Sequence, residues 1–99
     1  MKDSIRLKLN NLKDRSGEIE ALLSDAETIA NQSQFRELSK EYSELEDVVR
    51  KYHEFNTAAD DLEEANEMKQ DSDPEIRAMA EEEVKAKTTQ IQNLELELQ

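Results

Sequence analysis

Residues 60–83 read Asp60-Asp61-Leu62-Glu63-Glu64-Ala65-Asn66-Glu67-Met68-Lys69-Gln70-Asp71-Ser72-Asp73-Pro74-Glu75-Ile76-Arg77-Ala78-Met79-Ala80-Glu81-Glu82-Glu83. Leu62, Ala65 and Met68 close one helical pattern, and Ile76 with Met79 or Ala80 opens another. Between them stands the only proline, Pro74, inside Asp71-Ser72-Asp73-Pro74-Glu75. Asp73 is the best N-cap for the following helix, because Pro74 then falls at the first helical position, where its missing N–H costs nothing. Ser72 with Glu75 is a rival capping box. Either way, a short turn joins two long helices and folds the second back on the first, the antiparallel arrangement of a helical bundle. The same stretch holds eleven acids against two bases, Lys69 and Arg77.

Upstream of this turn, apolar residues keep a 3–4 rhythm through Phe35, Leu38, Tyr42, Leu45, Val49 and Tyr52. After a one-residue slip, Phe55, Ala59 and Leu62 continue it, and Ala65 and Met68 carry it to the end. The pattern predicts a helix over 34–70, a rod of roughly 55 Å at 1.5 Å per residue. Glu46 with Arg50 and Asp47 with Lys51 have the i,i+4 spacing that supports an exposed helical face. Downstream, Ile76, Val84, Lys87, Ile91, Leu94 and Leu98 mark the seam of a helix over 74–98, with Lys87 expected to snorkel. Glu81 with Lys85 and Glu83 with Lys87 repeat the pairing. The alternation of Leu94, Leu96 and Leu98 also fits a strand, but the phase from Ile91 favours helix.

Nearer the start, the steps 5, 9, 12, 16, 19, 23, 26 form a heptad seam and predict a helix over 4–23. Ser16 occupies one seam position and Gly17 follows it, a weak point rather than a break. Ser24-Asp25-Ala26-Glu27 has the spacing of a capping box and predicts a short helix over 25–30. Ser33 and Asn31 compete to cap the long helix after it. The fold class expected is all-α: an antiparallel three-helix bundle with coiled-coil-like packing and a short extra helical turn after helix one. Its 99 residues bound it at one domain.

A charged fraction of 38% with one Gly and one Pro suits long helices better than disorder. Without cysteine, no disulfide or zinc–thiolate site is possible. No apolar run approaches the ~20 residues that span a bilayer, and the N-terminus lacks a signal-peptide core. A cytoplasmic protein with no membrane partner is expected. Net charge is −12, the opposite of what phosphate binding needs, so no direct nucleic-acid binding is expected from charge. An acidic surface attracts basic protein surfaces. Asp60, Asp61, Glu63 and Glu64 are the candidate partner-contact acids; the competing reading is that such charge only keeps a helical rod soluble.

Chemistry is hard to find. His53 is the single histidine, with no second His or Cys to share a metal. No Gly-rich phosphate loop or strained serine elbow occurs. Asp71-Ser72-Asp73 lacks the glycine that a calcium loop requires, and Pro74 follows it. The four aromatics (35, 42, 52, 55) are spaced as core. No catalytic residue, cofactor or metal is expected, and the chain is not expected to be an enzyme.

Four stretches in order carry a family resemblance: Leu22-Leu23-Ser24-Asp25-Ala26-Glu27; Phe35-Arg36-Glu37-Leu38-Ser39-Lys40-Glu41-Tyr42-Ser43-Glu44-Leu45; Asp61-Leu62-Glu63-Glu64-Ala65; and Asp73-Pro74-Glu75-Ile76-Arg77-Ala78-Met79-Ala80-Glu81-Glu82-Glu83. Together they resemble the N-terminal helical domain of bacterial class I peptide chain release factors, closer to the release factor 1 branch than to release factor 2. The resemblance implies a parent protein that recognises the stop codons UAA and UAG on the ribosome and promotes peptidyl-tRNA hydrolysis. The family's Pro-x-Thr codon-reading loop and Gly-Gly-Gln loop are both missing from this sequence, so none of their roles transfers to a residue here. The pattern stops abruptly at Leu98-Gln99, and a fragment of a longer protein is expected. The resemblance implies contacts to the ribosomal stalk base, the GTPase-associated centre, and to release factor 3. A monomer or weak dimer is expected, and the alternative function is an acidic self-associating coiled-coil spacer or adaptor.

Overall fold

The computed structural model describes residues 1–99 and is all-α, with four helices and no strand: α1 (Asp3–Leu23), α2 (Ala26–Ala30), α3 (Gln32–Met68) and α4 (Pro74–Glu97). Each boundary has a hydrogen-bonding cause. Lys2 precedes α1 without a side-chain cap, its carbonyl accepting from the N–H groups of Ile5 and Arg6. At the other end the Ser24 hydroxyl donates to the Glu20 carbonyl at 3.3 Å. The expected Ser24–Glu27 capping box is therefore not the device used. Asp25 is the N-cap of α2, its Oδ1 accepting from the Glu27 N–H at 2.9 Å. Of the two rivals for α3, Asn31 caps it: its Oδ1 accepts from the Gln34 N–H at 3.1 Å and its carbonyl from the Phe35 N–H. Hence α3 starts at Gln32, ahead of the position that a Ser33 cap would give.

The α3–α4 turn is fastened three times. Asp71 Oδ1 accepts from the Asp73 N–H at 2.8 Å, and Asp73 Oδ1 accepts from the Glu75 N–H at 2.9 Å. The Arg77 guanidinium reaches back to donate to the Asp71 carbonyl at 2.8 Å. Asp73 is thus the cap and Pro74 the first helical residue. No residue in the chain needs a positive φ.

The chain divides into two compact units, Met1–Arg50 and Lys51–Gln99, and α3 runs through both. The first unit buries Leu9, Ser16, Ile19, Thr28 and Leu38. The α1 seam keeps its phase from Ile5 to Leu23, but Ala26, which begins α2, is exposed. Within this unit Arg15 grips Glu41 with two parallel bonds, Nε to Oε2 at 2.6 Å and Nη2 to Oε1 at 2.9 Å. This fork geometry is the strong form of an ion pair. It ties α1 to α3.

The second unit buries Tyr52, Phe55, Ala58, Ala65, Ala80, Leu94 and Leu98. Two ion pairs set the direction of its helices: Lys87 with Asp61 at 3.4 Å and Lys51 with Glu97 at 3.7 Å. Ten residues back along α3 match ten forward along α4, so the helices run antiparallel. The seam of α3 passes through Ala58, and Ala59 is only half-buried. On α4, Ala80 is the buried member of the Met79/Ala80 pair, and Leu96 points outward between buried Leu94 and Leu98. That three-four spacing is helical, which removes the strand alternative.

Candidate functional site

The eleven acids of residues 60–83 separate by what they touch. Asp71 and Asp73 are consumed by the turn. Asp61 and Glu83 flank Lys87, at 3.4 and 3.8 Å, and hold it against the α3–α4 seam. Lys87, with its side chain 23% exposed, is therefore an interhelical bridge as well as a stem lying on apolar surface. The side chains of Asp60, Glu63, Glu64, Glu67, Glu75, Glu81 and Glu82 have no protein partner.

Helix geometry sorts the four candidate acids further. At about 100° per residue, Asp60, Glu63, Glu64 and Glu67 fall within roughly a quarter turn of one another. They lie on the side of α3 away from buried Ala58 and Ala65. All four are exposed, whereas Asp61 sits on the flank facing α4 and is half-buried. The structure therefore joins three of the four candidates into one stripe, adds Glu67, and gives Asp61 a structural ion pair. Glu63 and Glu67 also line a shallow cavity of about 390 Å³ with Ala59, Leu62, Asn66 and Gln70.

Two expected helix-surface pairs do not form. Arg50 donates to Asp47 at 2.6 Å, and Glu46 stays unpaired. Glu81 and Lys85 likewise make no bond. Both belong to solvated side chains, for which an ion pair is worth little against rotamer entropy. His53 is exposed on α3. No group of three or more His, Cys, Asp or Glu side chains is arranged to hold a metal, and no helix is long and apolar enough to cross a membrane.

One surface escaped the sequence reading. Phe35 was expected in the core but is 38% exposed, and Ile29 on α2 is 53% exposed. With Gln32, Arg36 and Ser39 they enclose a cavity of about 350 Å³. The available signal was positional: Phe35 lies in the first turn of α3, where the 3–4 rhythm begins but no earlier turn supports it, and Ile29 belongs to no seam.

The arrangement, with ordered helices, open clefts and sorted surface charge, is that of an all-α domain. Residues 12–99 match the PCRF domain, the helical domain of peptide chain release factors, and the chain belongs to that family. The family carries a release-factor-like role in translation termination and implies interaction with the ribosome. No solved structure matches the chain.

Proposed function

We propose that this chain is the interaction domain of a class I release factor of the release factor 1 type. Its parent protein reads UAA and UAG and promotes peptidyl-tRNA hydrolysis in the cytoplasm. The domain itself supplies contacts to the stalk base of the ribosome, with release factor 3 as a second partner, and no chemistry. The observation that carries this reading is the family match across residues 12–99. The partner-free stripe of Asp60, Glu63, Glu64 and Glu67 on α3 supports a basic protein surface as the counterpart.

Co-sedimentation of the chain with 70S ribosomes tests it. Binding should weaken with salt, and Asp60→Asn with Glu63→Gln and Glu64→Gln should lower affinity and flatten the salt dependence. Asp61→Asn belongs in a separate variant, because it also removes the interhelical ion pair of Lys87, which keeps only Glu83 on its own helix. Ribosome binding that ignores the triple change would leave those acids as solubility groups. An obligate dimer that shows no ribosome binding would favour the self-associating spacer instead.

A further inference from the structure

We propose that the cleft between α2 and the first turns of α3 docks an acidic protein segment anchored by an apolar side chain. The cleft floor is Ile29 and Phe35, two large apolar groups left 53% and 38% exposed, around a cavity of about 350 Å³. Arg36 stands at its rim and is shared with a neighbouring cleft lined by Ser33, Glu37 and Lys40. The charge is what selects the occupant. In a chain of net charge −12, the residues around these two clefts carry two cations and one acid, Arg36 and Lys40 against Glu37.

Neither cation has a partner within the protein. For Arg36 this is unusual here, since the other four arginines are all engaged, whereas Lys40 shares its freedom with several exposed lysines. The clefts also lie at the N-terminal end of a 37-residue helix, the positive end of its dipole. Asn31 satisfies one N–H there, that of Gln34. An exposed aromatic beside an unpaired arginine is the composition of a binding hot spot. The fitting occupant therefore places an apolar side chain between Ile29 and Phe35 and its carboxylates on Arg36 and Lys40. A nucleic acid fits less well, because two cations on an apolar floor offer little phosphate neutralisation. This surface is opposite in sign to the acidic stripe of α3, takes an opposite partner, and stands whether or not the release-factor reading does.

The test uses the full 99-residue chain and a synthetic amphipathic helical peptide with leucines on one face and glutamates on the other. Binding is read by fluorescence anisotropy and located by amide chemical shifts. The expected result is saturable binding with shifts centred on Ile29, Phe35 and Arg36. Phe35→Ala and Arg36→Glu should each weaken affinity by about tenfold or more, while Leu96→Ala, at an exposed leucine elsewhere, leaves it unchanged. Circular dichroism confirms that the variants stay helical. The proposal is overturned if shifts centre elsewhere, if the Phe35 and Arg36 variants bind like the parent, if a lysine-for-glutamate peptide or an RNA hairpin binds better, or if the patch closes on a second copy of the chain in a dimer that Phe35→Ala dissolves.

Discussion

Met1–Arg50 and Lys51–Gln99 share one helix, yet they hold together by different means. The first unit buries five residues, of which Ser16 and Thr28 are polar; the second buries seven, all apolar, two of them the aromatic rings of Tyr52 and Phe55. Charge runs the other way. The first unit has eight bases and eleven acids, a net of −3, and the second has five bases and fourteen acids, a net of −9. The half with the greater self-repulsion thus has the larger apolar core to oppose it. The half with the smaller core adds a forked Arg15–Glu41 pair and leaves Ile29 and Phe35 open. Both units leave large apolar side chains on the surface, Leu7, Ile29 and Phe35 in the first and Met68, Met79 and Leu96 in the second, so the contrast lies in what each one buries.

The strongest way to break this contrast is to remove a core anchor from each side. Tyr52 is 2% exposed and Ile19 is fully buried. Truncation of a large aromatic costs about 3–5 kcal/mol and of isoleucine about 2–5 kcal/mol. Tyr52→Ala should therefore lower the urea midpoint at least as much as Ile19→Ala. Hydrogen exchange then locates the damage: Ile19→Ala should speed exchange chiefly in residues 1–50, and Tyr52→Ala chiefly in 51–99. Equal acceleration of both stretches by either variant would mean that the units open as one and that the contrast has no energetic content.

The turns offer a smaller lever. Asp73 caps α4, a helix of 24 residues, and Asp25 caps α2, a helix of five. Loss of an N-cap costs about 0.5–2 kcal/mol. Asp73→Ala should fall within that range in a denaturant titration, because the cap also closes the turn that Asp71 and Arg77 fasten. Asp25→Ala should cost less, since so short a helix gains little from a cap that its packing through Thr28 does not already provide. A larger loss from Asp25 than from Asp73 would show that the first unit depends on α2 more than its burial implies.

Smaller again, and opposite in sign, is the effect expected at Gly17. It lies inside α1 on the exposed face, and a Cβ built there meets nothing within 4 Å. Gly17→Ala should stabilise by about 0.8–1 kcal/mol, which for a domain this size raises Tm by roughly 4–8 °C. A thermal scan that shows no gain would mean that the glycine relieves some crowding that the static packing does not reveal.

The elements were readable from sequence because each rests on local rules. Seam periodicity located three long helices, and Asp73-Pro74 fixed the start of α4 through the chemistry of one cap. Where two local rules competed, the sequence could not choose. Ser24, Asp25, Asn31 and Ser33 are all good caps, and which one is used depends on where the preceding chain stops. Ala58 against Ala59 is a question of helix rotation, which the 3–4 rhythm leaves open by one residue, and it is Ala58 that is buried. The acidic site was half legible. Spacing predicts which acids share a face of α3, but that Asp61 is spent on Lys87 follows from the register of α4, which no local pattern encodes. The Ile29–Phe35 cleft was missed for the related reason that Phe35 obeys the seam rule and yet lies where its ring is only partly covered.

The subtlest prediction concerns how the first unit answers to acid. The Arg15 hydrogen bonds, chief among the causes, hold the Glu41 carboxyl below its ordinary value of 4.5. The same hydrogen bonds, donated by Arg15 to Glu41, push the Arg15 guanidinium further up, so within any usable pH range only Glu41 of the pair titrates. Its folded-state pKa is depressed relative to the unfolded chain. The pair's contribution is therefore fully present above about pH 4.5 and is lost as pH falls through the lower, folded value. Glu41→Gln should reduce stability near neutrality and match the parent protein in strong acid, so that the two stability curves converge as pH drops. Both side chains remain about two-fifths exposed, so added salt should shrink the gap at neutral pH. The reading-out position matters more than the size. Exchange protection that changes in residues 1–50 and not in 51–99 would place this pair among the means by which the first unit makes up for its smaller core. A gap that persists undiminished in acid would show instead that the side-chain packing of Glu41, and not its charge, is what α1 and α3 share.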